Sequence, residues 1–328
     1  MIRSIDPMIH NFEELLAAAA QVGRRRVLVT APANRETFDA IRQARDQFAL
    51  EFVLVGDGKI IEDALPDRRG LEIVDRPKME ECLTASMELL ARGDAGILMK
   101  GGVDTATLMK AVLKPESGLR TGRLLSDVFL FEYAARAQNK LVMITDGGLT
   151  IAPDLDAKVQ LIQNAVEVAH ALGNANPKVA VLSASEFVQP GVPSSVDAAM
   201  LAKMNANGQI KGCVVAGPLA LDSALAARAA EEKRIGSAVA GAAEILVCPN
   251  IESANMLAKS TTYIGNARLA HVIVGAPIPI LIPSRADKSD AKLLSLALGM
   301  IMAEYWLGGS IGNWPSLASR ALPDLALG

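Results

Sequence analysis

Short runs rich in β-branched residues alternate along this chain with longer stretches that carry apolar residues at helical spacing. The short runs predict strands because β-branched side chains pack well on a pleated sheet, and the longer stretches predict amphipathic helices. Since most predicted strands are followed by a helix, neighbouring strands should run parallel. The alternation therefore predicts an α/β protein with mostly parallel sheets.

The strands predicted in this way lie at 26–30, 51–55, 71–74, 96–99, 141–145, 178–182, 212–216, 245–248 and 278–282. The predicted helices lie at 34–48, 78–92, 105–113, 156–172, 195–205, 223–233 and 291–306. Ligands of open parallel sheets bind beyond the carboxyl ends of the strands, so the turns after the strands are where a site is expected.

Composition excludes several classes of protein. With 328 residues, 51% of them hydrophobic, the chain can bury a large core and has the length of about two domains. Its formal net charge of -3 gives no general attraction to nucleic acid. The longest uncharged apolar run, 293–303, is too short to cross a bilayer. Neither nucleic acid nor a membrane is an expected partner.

The cysteines indicate a reducing compartment. Cys82, Cys213 and Cys248 are odd in number and far apart, which fits neither a disulfide framework nor the spacing of zinc ligands. The first 20 residues carry acidic side chains and lack the apolar core of a secretory signal. We therefore expect a cytoplasmic protein without a metal site.

The turn after the predicted strand 96–99 reads KGGVDTATLMK. Lys100 supplies a positive charge, Gly101 allows close backbone approach, and the helix beginning near Thr105 has N–H groups that can bind an anion. Its residue order is not that of a Walker loop, and capped glycine turns are common in α/β proteins. The turn is nevertheless a candidate for binding phosphate.

Two further strand ends are rich in polar side chains. ITDGG, from Ile144, leaves the role of Asp146 open, because no metal-ligand spacing accompanies it. CPNIESANMLAKS, from Cys248, crowds four polar residues beyond a strand, and part of this set is explained by a solvated helix face. These four candidates for substrate binding are Asn250, Glu252, Asn255 and Lys259.

The junction PILIPSRADKSDAK, at 279–292, places polar residues between an apolar strand and a long apolar helix. Helix capping explains the serines and aspartates in part. The alternative is an anion site with its own base, built from Ser284, Arg285 and a nearby carboxylate.

Taken together, these segments resemble the phosphate acetyltransferase and phosphate butyryltransferase family, most closely its butyryltransferase-type branch. The resemblance runs from about residue 10 to 305 and is carried by segments 98–113, 118–132, 142–166, 179–186, 216–224, 248–260 and 279–292. It implies two α/β domains around a cleft, of the isocitrate/isopropylmalate dehydrogenase type. The first domain would comprise 1–130 with 277–328 returning to it, and the second 131–276. A homodimer is also implied.

The activity implied by the resemblance is reversible transfer of a short acyl group between coenzyme A and inorganic phosphate, without a metal or nicotinamide. Ser284 and Arg285 match the family's Ser-Arg pair. Arg285 would hold the phosphoryl group, because a guanidinium binds a dianion bidentately, and Ser284 would hydrogen-bond the developing oxyanion or position the thioester. A carboxylate would take the proton of the CoA thiol, whose free pKa is roughly 8.5.

This chain departs from the family pattern at two places. The acetyltransferase branch has its base seven residues after the serine, where this chain has Ala291, so Asp290 is preferred as the base and Asp287 is the alternative. After the TL of the glycine-turn helix the family has a basic residue, where this chain has Met109. The candidates to replace that residue at the CoA phosphates are Lys110, Arg120 and Arg123.

Three other functions remain open at this stage. An oxidoreductase of the same two-domain fold would need a set of aspartates for Mg²⁺ and a nucleotide site, and neither is evident in the sequence. A non-catalytic CoA-binding protein is suggested by the displaced carboxylate. Acyl transfer from acyl carrier protein in phospholipid synthesis has no sequence element in its favour. The acyl-chain length stays open among acetyl, propionyl and butyryl.

Overall fold

The structure, a computed structural model, describes residues 8–308. Its strands are β1 (Arg25–Thr30), β2 (Leu50–Gly56), β3 (Leu71–Asp75), β4 (Ile97–Lys100), β5 (Ser126–Glu132), β6 (Leu141–Thr145), β7 (Lys178–Leu182), β8 (Val214–Leu219), β9 (Ile245–Val247), β10 (Leu269–Val274) and β11 (Ile280–Leu281). Its helices are α1 (Phe12–Ala19), α2 (Arg35–Gln47), α3 (Gly58–Ala64), α4 (Met79–Ala91), α5 (Thr105–Val112), α6 (Leu155–Ala171), α7 (Pro193–Ala206), α8 (Leu221–Leu225), α9 (Ala227–Glu232), α10 (Ile251–Tyr263) and α11 (Ser289–Gly308).

The mixed α/β fold with mostly parallel strands is confirmed. Every predicted strand region contains a strand, but β5 and β10 were missed, and they pair antiparallel. Both contain apolar runs that are typical of strands. No helix directly follows either of them, so the alternation of strands and helices did not predict them. Because β5 is joined to β6 by a short connection rather than by a helix, these two strands are also antiparallel. The predicted helix 223–233 is two short helices, α8 and α9.

The chain forms two compact units. The first contains Leu16–Thr121 and 276–308, and the second contains Met8–Leu15 and Gly122–Gly275. The domain boundaries expected at residues 130 and 277 stay a prediction. The ends of the predicted first domain, 1–7 and 309–328, including the glycine-rich and then apolar tail, lie outside the described residues.

The first unit has a parallel sheet in the order β3-β2-β1-β4-β11. From β1 the chain runs outward through β2 and β3 and then returns across β1 to form β4. The edge between β1 and β4 is therefore a topological switch point, where connections leave in opposite directions and open a crevice at the strand ends. β4 and β11, which lie next to each other, end at the same edge.

The second unit has strands in the order β10-β5-β6-β9-β7-β8. The four strands from β6 to β8 pair parallel, and β5 runs antiparallel to both of its neighbours. The loop after β6 and the start of α10 after β9 therefore lie side by side, since β6 and β9 are parallel partners.

Helix α11 is buried within the first unit. Residues 291–303 are all buried, and the helix packs on α2, β4 and β11. A helix that is apolar on every side must lie inside the protein. Its N-terminal turn therefore has a fixed position beside the end of β11.

Candidate active site

The candidate active site of the first unit begins where β4 and β11 end. Their register pairs Met99 with Leu281, so Lys100 and the residues from Ile282 onward emerge at the same edge of the sheet. β1 contributes the neighbouring strand end, because Thr30 pairs with Lys100. The predicted glycine turn and the predicted Ser-Arg turn are thus brought together by strand pairing.

The turn from Ser284 to Asp287 is closed by its own hydrogen bonds. The Ser284 N–H donates to Asp287 Oδ2 at 2.7 Å, and the Asp287 N–H donates to the Ser284 carbonyl at 3.1 Å. The N–H of Ser289, at the start of α11, donates to Glu36 Oε2 at 2.8 Å. Asp287 therefore has a structural function in the turn. Arg285 is exposed on this turn, while Ser284 and Asp290 are half-buried.

A residue that the sequence analysis did not select, Lys292, lies beneath this turn. Its side chain is 1% exposed, and Nζ donates to the carbonyls of Ser284 at 3.0 Å and Asp287 at 2.5 Å. Burial lowers the pKa of Lys292, while the carboxylates of Asp287 and Glu36 act in the opposite direction. Its position on the apolar α11 was the available signal, because a lysine there must be buried with its charge compensated.

Lys100 is also buried, with 3% of its surface exposed, and Nζ donates to the Val103 carbonyl at 3.2 Å. Burial and the charges of Arg285 and Lys292 lower its pKa. Three cations, Lys100, Arg285 and Lys292, are therefore close enough to repel one another. Such a cluster creates a local positive potential that favours an anion.

Gly101 has a structural reason to be glycine. A Cβ at this position would lie 2.4 Å from the Ala31 carbonyl oxygen. The Gly101 N–H donates to the Thr30 carbonyl at 2.9 Å, which ties the turn to the end of β1. The glycine was expected to let the backbone approach a phosphate closely. In the structure it lets the turn approach the end of β1.

The other candidates of the first unit lie along or beyond α5. Thr105 opens this helix after Asp104, whose Oδ1 accepts from the Thr107 N–H at 2.8 Å. Lys110 is exposed in the last turn of α5 and lines a surface groove of about 530 Å³ between α4 and α5. Arg120 is exposed. The structure gives neither Lys110 nor Arg120 a contact with the Ser284 turn.

Two of the four candidates in the second unit have structural functions. Asn250 caps α10, accepting from the Ser253 N–H at 2.9 Å within a capping box. Asn255 Nδ2 donates to the Gly147 carbonyl at 2.9 Å, which joins α10 to the loop after β6. Glu252 and Lys259 are exposed on α10. Their functions in substrate binding stay predictions.

Arg123 has most of its side chain inside the second unit. Nη2 donates to Glu167 Oε2 at 2.7 Å and to Asn164 Oδ1 at 2.5 Å, both on α6. The side chains of Arg123 and Glu167 are 18% and 19% exposed. The function of Arg123 in binding the CoA phosphates stays a prediction.

The second unit contains two buried carboxylates, Asp146 and Asp127. The sequence left the function of Asp146 open and did not identify Asp127 as a candidate. Asp146 is 3% exposed and accepts from the N–H groups of Gly148, Leu149 and Thr150 at 2.9 to 3.1 Å. Asp127 is also buried, and its Oδ1 lies 3.2 Å from His271 Nδ1. Strand pairing brings these groups together, because β5 lies between β6 and β10.

Among residues 8–308, no group of three or more His, Cys, Asp or Glu side chains is arranged to hold a metal ion. Within the same residues, no helix is both long and apolar enough to cross a membrane.

The parallel sheets and the cationic Ser-Arg turn at a strand end define the chain as an α/β protein with a candidate anion site. Comparison with known proteins specifies it further. The family described as "Phosphate acetyl/butaryl transferase" matches residues 64–300. The chain belongs to this family.

Three similar proteins represent these comparisons. The phosphate butyryltransferase of Clostridium acetobutylicum is 39% identical over 90% of this chain and 99% of its own length. The phosphate acetyltransferase of Thermotoga maritima is 38% identical over 89% of this chain and its own full length, 100%. The crystal structure of a branched-chain phosphotransacylase from Enterococcus faecalis superposes with a TM-score of 0.77 at 33% identity, covering 85% of this chain and 99% of that one.

Proposed function

We propose that this protein is a phosphate acyltransferase, which transfers a short acyl group reversibly between coenzyme A and inorganic phosphate. The observation that carries the proposal is the Ser284–Asp287 turn, which presents Ser284 and Arg285 at a strand end beside the buried Lys100 and Lys292. Phosphate is a dianion near neutral pH, and a cationic strand end of this kind suits it.

The turn supplies two functions that the reaction needs. Arg285 binds phosphate with two N–H donors and stabilises the charge that develops on its oxygens. Ser284 donates its hydroxyl to the thioester oxygen, which becomes an oxyanion when phosphate attacks the carbonyl carbon. Collapse of this intermediate breaks the C–S bond and gives acyl phosphate and CoA.

Among the carboxylates near the turn, Asp290 is the preferred candidate to exchange the proton of the thiol. Asp287 is less suited, because its carboxylate accepts from the Ser284 backbone N–H and holds the turn. Asp290 lies in the first turn of α11, one residue before Ala291. Neither a metal nor a nicotinamide takes part in the reaction as proposed.

The proposal is tested by thiol release from a panel of acetyl-, propionyl- and butyryl-CoA, with phosphate present and with EDTA in place of metal and NAD. Phosphate-dependent release with at least one acyl-CoA is the expected result. No release with any of the three would contradict the proposal. Asp290→Asn, assayed with CoA binding measured separately, tests the base, and full turnover in this variant would refute that assignment.

A homodimer is proposed as the assembly. Helix α10 exposes Met256 and Tyr263, and its C-cap residue Ile264 is also exposed. Ile151, whose carbonyl accepts from the Ile251 N–H, is exposed as well. Exposed apolar residues gathered along one helix are typical of an interface. We expect dimer mass by light scattering and a monomer for Met256→Lys with Tyr263→Glu. Ile60→Lys, an exposed apolar residue of the first unit, is the control, and a monomeric wild type would contradict the proposal.

The cytoplasm is the proposed compartment. Cys82, Cys213 and Cys248 are free and buried, as expected for a protein kept in reducing surroundings. Fractionation of the native cells, followed by immunodetection, checks this placement.

A further inference from the structure

Two buried lysines lie beside the Ser284–Asp287 turn, and the proposed reaction so far uses neither. A buried lysine is costly unless its ammonium is compensated or loses its proton. Lys100 and Lys292 differ in how well the structure compensates them. When two titratable groups of one site have different surroundings, their chemical functions can be told apart.

The ammonium of Lys292 is held by several groups, which offset part of the burial that lowers its pKa. Its Nζ donates to the carbonyls of Ser284 and Asp287, and the carboxylates of Asp287 and Glu36 lie nearby. These groups hold the ammonium in place and hold the turn against α11. Lys292 is therefore a positioning residue for Ser284 and Arg285.

Lys100 has fewer compensating contacts than Lys292. Within residues 8–308 its Nζ has one hydrogen bond, to the Val103 carbonyl at 3.2 Å, and the cations Arg285 and Lys292 face it from the turn and from α11. The carboxylates that face it, Asp287 from the turn and Asp104 from the start of α5, offset these effects only in part, and the pKa of Lys100 is lowered. An amine in such surroundings gives up its proton more readily than a solvated lysine does.

We propose that Lys100, in place of Asp290, exchanges the proton with the sulfur of coenzyme A. This inference rests on the proposed function and deepens it. The position where the acetyltransferase branch is expected to have its carboxylate holds Ala291, which is buried and apolar. Lys100 lies at the end of β4, next to β11 and the Ser-Arg turn, and can supply the missing acid and base.

The proton balance of this step closes without another reactant. In the direction of acyl phosphate, an oxygen of HPO₄²⁻ attacks the thioester carbon, and the C–S bond then breaks. The ammonium of Lys100 protonates the departing thiolate, and the neutral amine takes up the proton that the phosphate gave up. In the reverse direction the amine removes the proton of the CoA thiol, and the thiolate attacks the acyl phosphate.

The pH dependence of the wild type tests this step in the direction from acyl-CoA and phosphate, where no free thiol is a substrate. Lys100 must be protonated there, so kcat/KM should fall at alkaline pH with a midpoint below the ordinary lysine value of about 10.4. The midpoint should move to lower pH on warming, because the pKa of an amine falls with temperature whereas that of a carboxylate hardly changes. A profile that is flat up to about pH 10, near that ordinary value, would overturn the proposal.

Variants supply the second test. Lys100→Arg keeps a positive charge but cannot give up a proton, and Lys100→Met keeps the length without the charge. In the direction from acyl phosphate and CoA, both should lose about 100-fold or more in rate at pH 7, the usual contribution of general acid–base catalysis. The loss should shrink as pH approaches the thiol pKa of roughly 8.5. Lys114→Arg, an exposed lysine just beyond α5, is the control and should match the wild type.

The outcomes separate this inference from the proposed function. The wild type can show phosphate-dependent thiol release while Lys100→Arg stays within about threefold of its rate at pH 7, against the ~100-fold loss expected of an acid–base group. In that case Lys100 is not the proton-exchanging group, and the proposed function stands. If no acyl-CoA gives phosphate-dependent release, the function itself fails. Binding of CoA by the variants, measured by calorimetry, shows whether a lost rate reflects lost folding. Whether or not the variants fold, the pH profile of the wild type tests the function of Lys100.

Discussion

Arg285 is the residue on which the proposed phosphate site depends most directly. It is exposed on a turn that Lys292 and Asp287 hold in place, and it faces the buried Lys100 and the carboxylate of Asp104. A guanidinium in this position offers two parallel donors, whereas an ammonium offers a single point of charge.

Replacing Arg285 with lysine should therefore weaken phosphate binding while the fold is retained. Loss of one charge-assisted hydrogen bond costs about 1.5–3 kcal/mol, so KM for phosphate should rise roughly 10- to 100-fold. Steady-state kinetics with varied phosphate measure this effect. Arg69→Lys, an exposed arginine paired with Asp67, is the matched control. An unchanged KM for phosphate in the Arg285 variant would exclude bidentate binding.

Asp146 carries a second prediction at this scale. Burial raises its pKa, the charge of Asp127 adds to this effect, and hydrogen bonds from Gly148 and Thr150 oppose it. An acid whose folded pKa is raised binds more protons when folded. Its contribution to the free energy of unfolding is therefore complete below the ordinary value of 3.8 and is lost as pH rises through the raised value.

Asp146→Asn cannot ionise, so the wild type should lose stability relative to this variant as pH is raised from about 4 to 7. Urea unfolding at a series of pH values measures the difference. Asp156→Asn, an exposed carboxylate at the start of α6, is the control. Parallel stability curves for wild type and Asp146→Asn would contradict the assignment.

At the scale of elements, the site is made by the pairing of β1, β4 and β11. The Ser-Arg turn and the glycine turn are about 180 residues apart in the sequence, and parallel pairing places both at one sheet edge. The glycine turn fits only because Gly101 lets two strand ends approach each other.

Gly101→Ala should destabilise the protein, because the new Cβ would lie 2.4 Å from the Ala31 carbonyl oxygen. Overpacking of this kind costs typically about 1–3 kcal/mol. Gly96→Ala, just before β4, meets nothing within 4 Å and is the matched control. The two melting temperatures, measured by calorimetry, should differ clearly. Equal melting temperatures would show that the turn accommodates the added methyl group without a loss of stability.

At the scale of the whole molecule, the fold decides how its thiols react. Cys82, Cys213 and Cys248 lie in different elements and are all buried. Burial raises the pKa of Cys213 to about 11 and that of Cys248 to about 12. Thiolate is the reactive form, and at pH 8 buried thiols of this kind stay protonated.

The native protein should therefore react slowly with Ellman's reagent at pH 8, and all three thiols should react once urea unfolds the chain. The same reagent can then follow CoA release without interference from the enzyme. Fast reaction of the native protein would show that one of the thiols is accessible. Cys213→Ser and Cys248→Ser would identify which.

The sequence by itself determined the fold class, the positions of most strands and the family, because hydrophobic periodicity and ordered motifs are local properties of the chain. It also identified Ser284, Arg285 and Lys100 as candidates. Only the tertiary structure decided which charged residues share a site, because burial and strand pairing join segments far apart in sequence. The burial of α11 showed that Lys292 holds the Ser284 turn, and Arg123 was found paired with Glu167 in the second unit. The attachment of Asn255 to the Gly147 carbonyl likewise depends on a backbone partner that is far away in the sequence.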